Sequence, residues 1–133
     1  MRQIYVNLPV KDVQRSRRFF DALGFEFDER FSNENAACLI VNDHAFAMLL
    51  GEPFFRRFID DEVADTGLGT EVINALSASS REEVDQLLAR ALEAGATEHT
   101  PREPVEMEQM HVRSFKDPDG HVWEILHMHM DMD

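Results

Sequence analysis

The spacing of apolar residues changes from strand-like to helical along the first part of the chain. Residues 3–8 (QIYVNL) alternate between apolar and polar, which predicts a strand, and Pro9 is expected to end its pairing. Helical spacing follows, from an N-cap at Asp12 to about Leu23. Gly24 is expected to end this helix, because glycine readily adopts the left-handed conformation of a helix C-terminus.

Strand-like alternation then returns. Residues 25–31 (FEFDERF) predict a second strand, and residues 36–41 and 45–50 predict two more, joined by a tight turn. The first part of the chain, about residues 1–51, is therefore predicted to be a β-α-β-β-β module.

The order of elements repeats after a connector at about residues 52–69, in which apolar residues show neither strand-like alternation nor helical spacing. The repeat comprises predicted strands at residues 71–77, 96–99, 110–116 and 121–128, and a helix from a Ser80–Glu83 capping box to about Ala94. This second module covers about residues 70–128, and residues 129–133 form a tail. The His- and Met-rich residues 127–130 are predicted to be a frayed chain end rather than a site.

The repetition predicts the fold class. One β-α-β-β-β module is too small to cover both faces of its own sheet. We therefore expect a single α+β domain, in which two tandem βαβββ modules form a curved mixed sheet around a cleft with the helices outside.

Composition narrows the classes of partner. The chain has 133 residues and a formal net charge of −13, which argues against binding of nucleic acid or of anionic membranes, since both require a basic surface. No apolar run approaches the ~20 residues of a membrane span. The N-terminus does not resemble a signal peptide, and the single cysteine, Cys38, is expected to be a buried apolar filler. A cytoplasmic location agrees with these features.

The predicted last strand contains an anomaly. It follows the turn sequence Asp117-Pro118-Asp119-Gly120, and it places Glu124 between apolar neighbours on one face while the other face is also apolar. A carboxylate on such a strand has to be paired, protonated or bound to a ligand.

A partner for Glu124 follows from the pairing of the last two strands. If Lys116 lies opposite His121, then Arg113 lies across from Glu124, and His111 is on the same face one pair further along. This register predicts a Glu124–Arg113 ion pair with His111 beside it, so that no metal is needed to explain the carboxylate.

The whole chain resembles the vicinal oxygen chelate superfamily, the group of glyoxalases, bleomycin-resistance proteins and extradiol dioxygenases. The matching motifs are Leu8-Pro9-Val10-Lys11-Asp12 with Ser16, Phe19 and Phe20, then Leu23-Gly24-Phe25, then Ala94-Gly95-Ala96, and finally Asp117-Pro118-Asp119-Gly120 followed by Glu124. The resemblance implies paired βαβββ modules that form a ligand cleft, often completed by dimerisation, and hence a homodimer.

The resemblance also implies where a divalent metal would bind, namely at side chains from the first and last strands of each module. Glu124 matches the last of these positions. The other three positions fall on Tyr5 (or Asn7), on Ala47 or Met48, and on Ile73, with Glu71 two residues upstream of Ile73. Isoleucine and methionine are not ligands for a hard divalent ion, so the complete metal set is absent.

Three functional hypotheses remain open. The first is a protein that binds a small molecule without a cofactor, with Glu124, His111 and Arg113 as the catalytic or polar cluster and with ligand contacts from Tyr5, Asn7, Met48 and Ile73. The second is a metal-dependent lyase or dioxygenase with an atypical site of Glu124 together with Glu71, His111 or Tyr5. The third is a non-catalytic module for assembly, in which Glu124 is only an ion-pair partner.

Overall fold

The computed structural model describes residues 1–103 and 109–128. The chain forms two compact units, Met1–Asp65 and Thr66–Asp133, and each unit contains one four-stranded sheet. The α+β class and the tandem βαβββ modules are thereby confirmed. The predicted tail, residues 129–133, lies outside the described residues. Within the described part of the chain, no helix is both long enough and apolar enough to span a membrane.

The first unit contains the predicted β-α-β-β-β elements in order: β1 (Ile4–Val10), α1 (Val13–Ala22), β2 (Glu26–Phe27), β3 (Ala36–Asn42) and β4 (Ala45–Gly51). A short helix that was not predicted, α2 (Glu52–Phe55), opens the connector. The strand order is β1-β4-β3-β2, with β1 parallel to β4 and the other pairs antiparallel. The Asp12 carboxylate caps α1 by accepting hydrogen bonds from the backbone N–H groups of Gln14 and Arg15, as predicted.

Pro9 does not end the first strand, contrary to the prediction. It lies within β1, and in the parallel register it is opposite Leu50 of β4. The proline is tolerated because β1 is at the end of the strand order, where only one of its sides pairs within the sheet.

The second predicted strand is much shorter than the alternation of residues 25–31 indicated. β2 contains only Glu26 and Phe27, and a 3₁₀ turn at Glu29–Phe31 replaces the remainder. The Asp28 carboxylate accepts the backbone N–H of Arg30 at 3.0 Å and so caps this turn. A local side-chain bond therefore outweighs the strand-like alternation here.

The core of the first unit lies between α1 and its sheet. The buried face of the helix consists of Val13, Ser16, Phe19 and Phe20, and it packs against β3 and β4. The rings of Phe19 and Phe20 meet edge to face with centroids 4.9 Å apart. Burying one aromatic side chain of this size contributes about 1.5–3 kcal/mol to folding, so this helix face is a main source of the unit's stability.

The second unit repeats the arrangement with β5 (Ile73–Ser77), α3 (Arg81–Glu93), β6 (Thr97–Glu98), β7 (Met110–Lys116) and β8 (Val122–Met128). Its strand order is β5-β8-β7-β6, with β5 parallel to β8. The predicted fraying of His127 and Met128 is wrong, because both lie in β8, and Nδ1 of His127 is 3.1 Å from the carbonyl oxygen of Ala78.

The predicted capping box of α3 is present in a shifted form. The Ser80 hydroxyl accepts the backbone N–H of Glu83 at 3.0 Å. The Glu83 carboxylate reaches back to Ser79 rather than Ser80, accepting both its backbone N–H (3.2 Å) and its hydroxyl (3.0 Å). Val84 and Ala91 are buried on the face that packs against β7 and β8, whereas Leu92 is 38% exposed because it lies at the margin of that stripe.

Asp117 organises the loop between β7 and β8. One oxygen of its carboxylate accepts the backbone N–H groups of Asp119 (2.9 Å) and His121 (3.0 Å), and the other accepts Nε1–H of Trp123 (2.9 Å). His121 is thus held in the loop, and the first strand pair is Lys116 with Val122 rather than with His121. The predicted register is therefore wrong by one residue.

Candidate functional site

Glu124 lies on β8, an interior strand of the second sheet. Its neighbours in register are Ala75 on β5 and Ser114 on β7. The Ser114 hydroxyl is directed elsewhere, because it donates to the carbonyl oxygen of Trp123 at 3.0 Å. Glu124 is half-buried, and within residues 1–103 and 109–128 its carboxylate takes part in no hydrogen bond or ion pair. Among the described residues, Glu124 is therefore a half-buried carboxylate without a polar partner.

The expected ion pair between Glu124 and Arg113 is absent. Arg113 is opposite Ile125, and its side chain is on the other face of the sheet, since a one-residue change of register exchanges the faces. His111 is opposite His127 on that same other face. The structure thus separates Glu124 from both residues that were predicted to join it, and their roles in binding or catalysis stay predictions.

Asp85 of α3 is the actual partner of His111 and Arg113. Its Oδ1 is 2.8 Å from Nε2 of His111 and 3.7 Å from Nε of Arg113. The hydrogen bond to His111, helped by the charges of His111 and Arg113, holds the pKa of the Asp85 carboxyl below its ordinary value. The Asp85 side chain is 58% exposed, so the contribution of this pair to stability is modest. The cluster joins the helix to the sheet.

Asp117, not Glu124, is the deeply buried carboxylate of this hairpin. It is 6% exposed, and burial raises its pKa, against the opposing effects of the His121 charge and of the hydrogen bonds from Trp123 and the loop backbone. The sequence carried a signal for this arrangement: an aspartate that opens an Asp-Pro-Asp-Gly turn and precedes an indole N–H by six positions. The role of Asp117 is to fix the loop that positions Glu124.

The candidate ligand contacts of the first unit lie on one face of its sheet. Asn7 is opposite Met48, and Met48 is opposite Cys38 on the next strand. Tyr5 shares this face and stacks on Phe46 with ring centroids 4.9 Å apart. Cys38 is buried as predicted, and burial raises the pKa of its thiol.

Hydrogen bonds fix the two polar members of this face. The Tyr5 hydroxyl donates to Oε1 of Gln3 at 2.9 Å, and the amide of Asn7 donates to the Tyr5 carbonyl oxygen at 3.2 Å. In the second unit, Ile73 begins β5 and is 53% exposed. These placements give each predicted contact a location, while their ligand-binding roles stay predictions.

The residues at the family's metal positions do not fit a divalent ion. In the described ranges, no three His, Cys, Asp or Glu side chains are grouped closely enough to hold a metal. Of the positions matched by resemblance, only Glu124 supplies a carboxylate, while Met48 and Ile73 supply no oxygen or nitrogen donor. Glu71 lies before β5 begins, so the predicted strand position that brought it towards the site is not formed. This donor set supports no metal-dependent step.

A model of the Glyoxalase/Bleomycin resistance protein/Dioxygenase superfamily matches residues 2–125. A search of curated proteins gave no match. Among solved structures, a hypothetical protein from S. aureus is 26% identical, with 95% of this chain and 93% of that chain covered and a TM-score of 0.77.

Two further solved structures are more distant in sequence. A glyoxalase-related enzyme from Fulvimarina pelagi is 21% identical, with 96% of this chain and 88% of that chain covered and a TM-score of 0.77. The fosfomycin resistance protein FosX from Listeria monocytogenes is 18% identical, with 100% and 95% covered and a TM-score of 0.65. At these identities the likeness supports the fold.

Proposed function

The chain belongs to the Glyoxalase/Bleomycin resistance protein/Dioxygenase superfamily, and from that premise we propose that it binds a small organic molecule through the Glu124 carboxylate. The proposed site is the face of the second sheet that bears Glu124, opposite to the face covered by α3. The observation that supports it is the half-buried carboxylate on an interior strand with no partner among the described residues.

The chemistry of the face favours a particular class of ligand. Half-burial weakens the hydration of Glu124, so a donor or cation that reaches it gains more than at a fully exposed carboxylate. Leu126, two residues along the strand on the same side, is half-buried and offers apolar contact, whereas Val122 is buried. The net charge of −13 favours the approach of a cation. The ligand is therefore an apolar molecule that carries a cationic or hydrogen-bond-donating group.

The ligand class can be tested by screening amine-bearing and neutral small molecules by native mass spectrometry of untagged protein, followed by calorimetry. Glu124→Gln is expected to weaken binding of an amine ligand about tenfold or more, because a charge-assisted hydrogen bond is lost. Glu98→Gln is the matched control, since it removes an exposed carboxylate from β6 of the same sheet. Equal affinity of Glu124→Gln and the parent chain would contradict the proposal.

The second candidate is a metal-dependent lyase or dioxygenase that would use Glu124, the one matched position that supplies a carboxylate, together with donors other than those at the family's remaining metal positions. The same preparation distinguishes the two. Stoichiometric metal that is retained by the parent chain and lost in Glu124→Gln would replace the metal-free proposal with this one.

We also propose that the chain is a homodimer. β1 and β5 are at the ends of their strand orders, and each carries an exposed apolar residue, Ile4 at 59% and Ile73 at 53% exposure. Such strand edges favour association with another chain. The mass of two chains in native spectra is expected, and a single-chain mass across the micromolar range would contradict dimer formation.

A further inference from the structure

Two histidines face each other across β7 and β8 on the side of the sheet that α3 covers. His111 and His127 are directly paired in the antiparallel register. The Cβ atoms of such a pair are about 4.5–5.5 Å apart, which is close enough for both imidazoles to reach one ion. This pair is on the opposite face from Glu124, so it is separate from the site proposed above.

The hydrogen bond of His127 determines which of its ring nitrogens carries a lone pair. Nδ1 is 3.1 Å from the carbonyl oxygen of Ala78, the residue that follows β5. A carbonyl oxygen only accepts hydrogen bonds, so Nδ1 has to carry the proton. In the neutral ring, Nε2 is then the lone-pair nitrogen, and it has no hydrogen-bond partner among the described residues.

The hydrogen bond of His111 has the complementary effect. Its Nε2 is 2.8 Å from Oδ1 of Asp85, and a carboxylate oxygen accepts the hydrogen bond. In the neutral ring, Nε2 then carries the proton and Nδ1 the lone pair. A carboxylate or carbonyl that fixes a histidine in this way is the usual outer partner of a metal-binding imidazole.

We propose that Nδ1 of His111 and Nε2 of His127 together bind one divalent transition-metal ion of the Cu²⁺, Zn²⁺ and Ni²⁺ class, which prefer imidazole ligands. The protein supplies two ligands and water completes the coordination, in agreement with the absence of a third His, Cys, Asp or Glu ligand among the described residues. The side chain of His111 is 15% exposed, so it is not fully sealed from solvent. The nearby cation is Arg113, and Asp85 offsets its charge.

The first test uses the unaltered chain, so that it does not depend on the folding of a variant. Zn²⁺ is added to metal-free, untagged protein, and the histidine rings are followed by long-range ¹H–¹⁵N correlation spectra. Saturable shifts of Nδ1 of His111 and Nε2 of His127 at one ion per chain are expected. Shifts confined to other histidines, or no saturable binding of Zn²⁺, Ni²⁺ or Cu²⁺, would overturn the proposal.

The second test compares variants by calorimetry with each metal salt alone. His111→Ala and His127→Ala are each expected to weaken binding about tenfold or more, and Asp85→Asn about tenfold, as for the loss of an outer partner. His44→Ala, in an exposed turn, and His129→Ala, in the tail sequence, are controls that should bind as the parent chain does. Binding that is lost only in His129→Ala would overturn the assignment.

Glu124→Gln separates this inference from the proposed function. Metal binding at the histidine pair is expected to be unchanged by that substitution, whereas binding of the organic ligand is expected to be weakened about tenfold or more. Metal binding that depends on Glu124 and not on His111 would overturn the histidine site and support the metal-dependent candidate instead.

Discussion

The indole of Trp123 donates its Nε1–H to the buried carboxylate of Asp117 at 2.9 Å. This bond joins the first residue of the loop to the second residue of β8, across the turn that separates the two strands. The same carboxylate holds the loop backbone at Asp119 and His121. One acceptor therefore determines both the shape of the loop and the strand pairing that follows it.

Asp117→Asn is expected to destabilise the chain by about 1–3 kcal/mol, because the amide brings an NH₂ group among N–H donors and leaves one of them unsatisfied. Urea unfolding followed by the fluorescence of the single tryptophan measures the change directly. Asp43→Asn, in the exposed hairpin turn of the first unit, is the control and should be nearly neutral. Equal effects of the two substitutions would contradict the role assigned to Asp117.

The acid dependence of stability is expected to include a contribution from Asp28. Its side-chain hydrogen bond with Arg30 is the main cause that lowers the pKa of the Asp28 carboxyl. A lowered folded-state pKa contributes stability above the ordinary aspartate value of about 3.9, and that stability is lost as the pH falls through the folded value. The parent chain should therefore exceed Asp28→Asn in urea midpoint at pH 7, and the difference should disappear in strong acid. A difference in urea midpoint that grows as the pH falls would contradict a lowered pKa of Asp28 in the folded state.

Phe20→Ala is expected to cost about 3–5 kcal/mol, because it leaves a cavity between α1 and the sheet. Phe20 is 1% exposed, and its ring meets those of Phe19 and Phe25 edge to face. Phe31→Ala provides the comparison, since Phe31 is 57% exposed and its replacement should lower the free energy of unfolding far less. Denaturant unfolding of the two variants checks the prediction. A similar loss of stability in both would contradict the role of Phe20 in the core.

Gly120→Ala is expected to destabilise the second unit by about 1–2 kcal/mol from its backbone conformation alone. The φ angle of Gly120 is 86°, and an added Cβ would be 2.5 Å from Oγ1 of Thr66. Gly69→Ala is the matched control, because its Cβ would meet nothing within 4 Å. Thermal unfolding compares the two, and an unchanged midpoint for Gly120→Ala would show that the loop relaxes without cost.

The sequence predicted α1, α3 and most strands because their determinants are local, whereas the short α2 in the connector was not predicted. Asp12 and Ser80 are caps that act within one helical turn, and both helices begin where these residues indicate. Pro9 misled the prediction, because whether a proline ends a strand depends on the position of that strand in the sheet. The stretch 25–31 misled it because Asp28 forms a local bond that the alternation of side chains does not reveal.

The environment of the candidate site was harder to predict than the fold. Glu124 was predicted as a site residue because a carboxylate is unusual on a strand whose other residues are apolar on both faces. The predicted pair with Arg113 was wrong, because it depended on a turn of four residues, whereas the Asp117 carboxylate keeps His121 in the loop, which therefore has five residues. The number of residues in this loop, and not the chemistry of Arg113, determines whether Arg113 lies on the same face as Glu124.

The Asp117 carboxylate therefore determines which of two possible sets of side chains β7 and β8 place together on one face of the sheet. With the five-residue loop, Glu124 and Ser114 lie on the face of β7 and β8 away from α3, while His111, His127 and Arg113 lie on the face towards α3. With a four-residue loop, the same two strands would place a carboxylate, a guanidinium and an imidazole side by side. Any change that releases the His121 N–H narrows the free-energy gap between these two arrangements. Substitutions in the loop would therefore change the side chains grouped on each face of this hairpin far more than a substitution at Glu124 would.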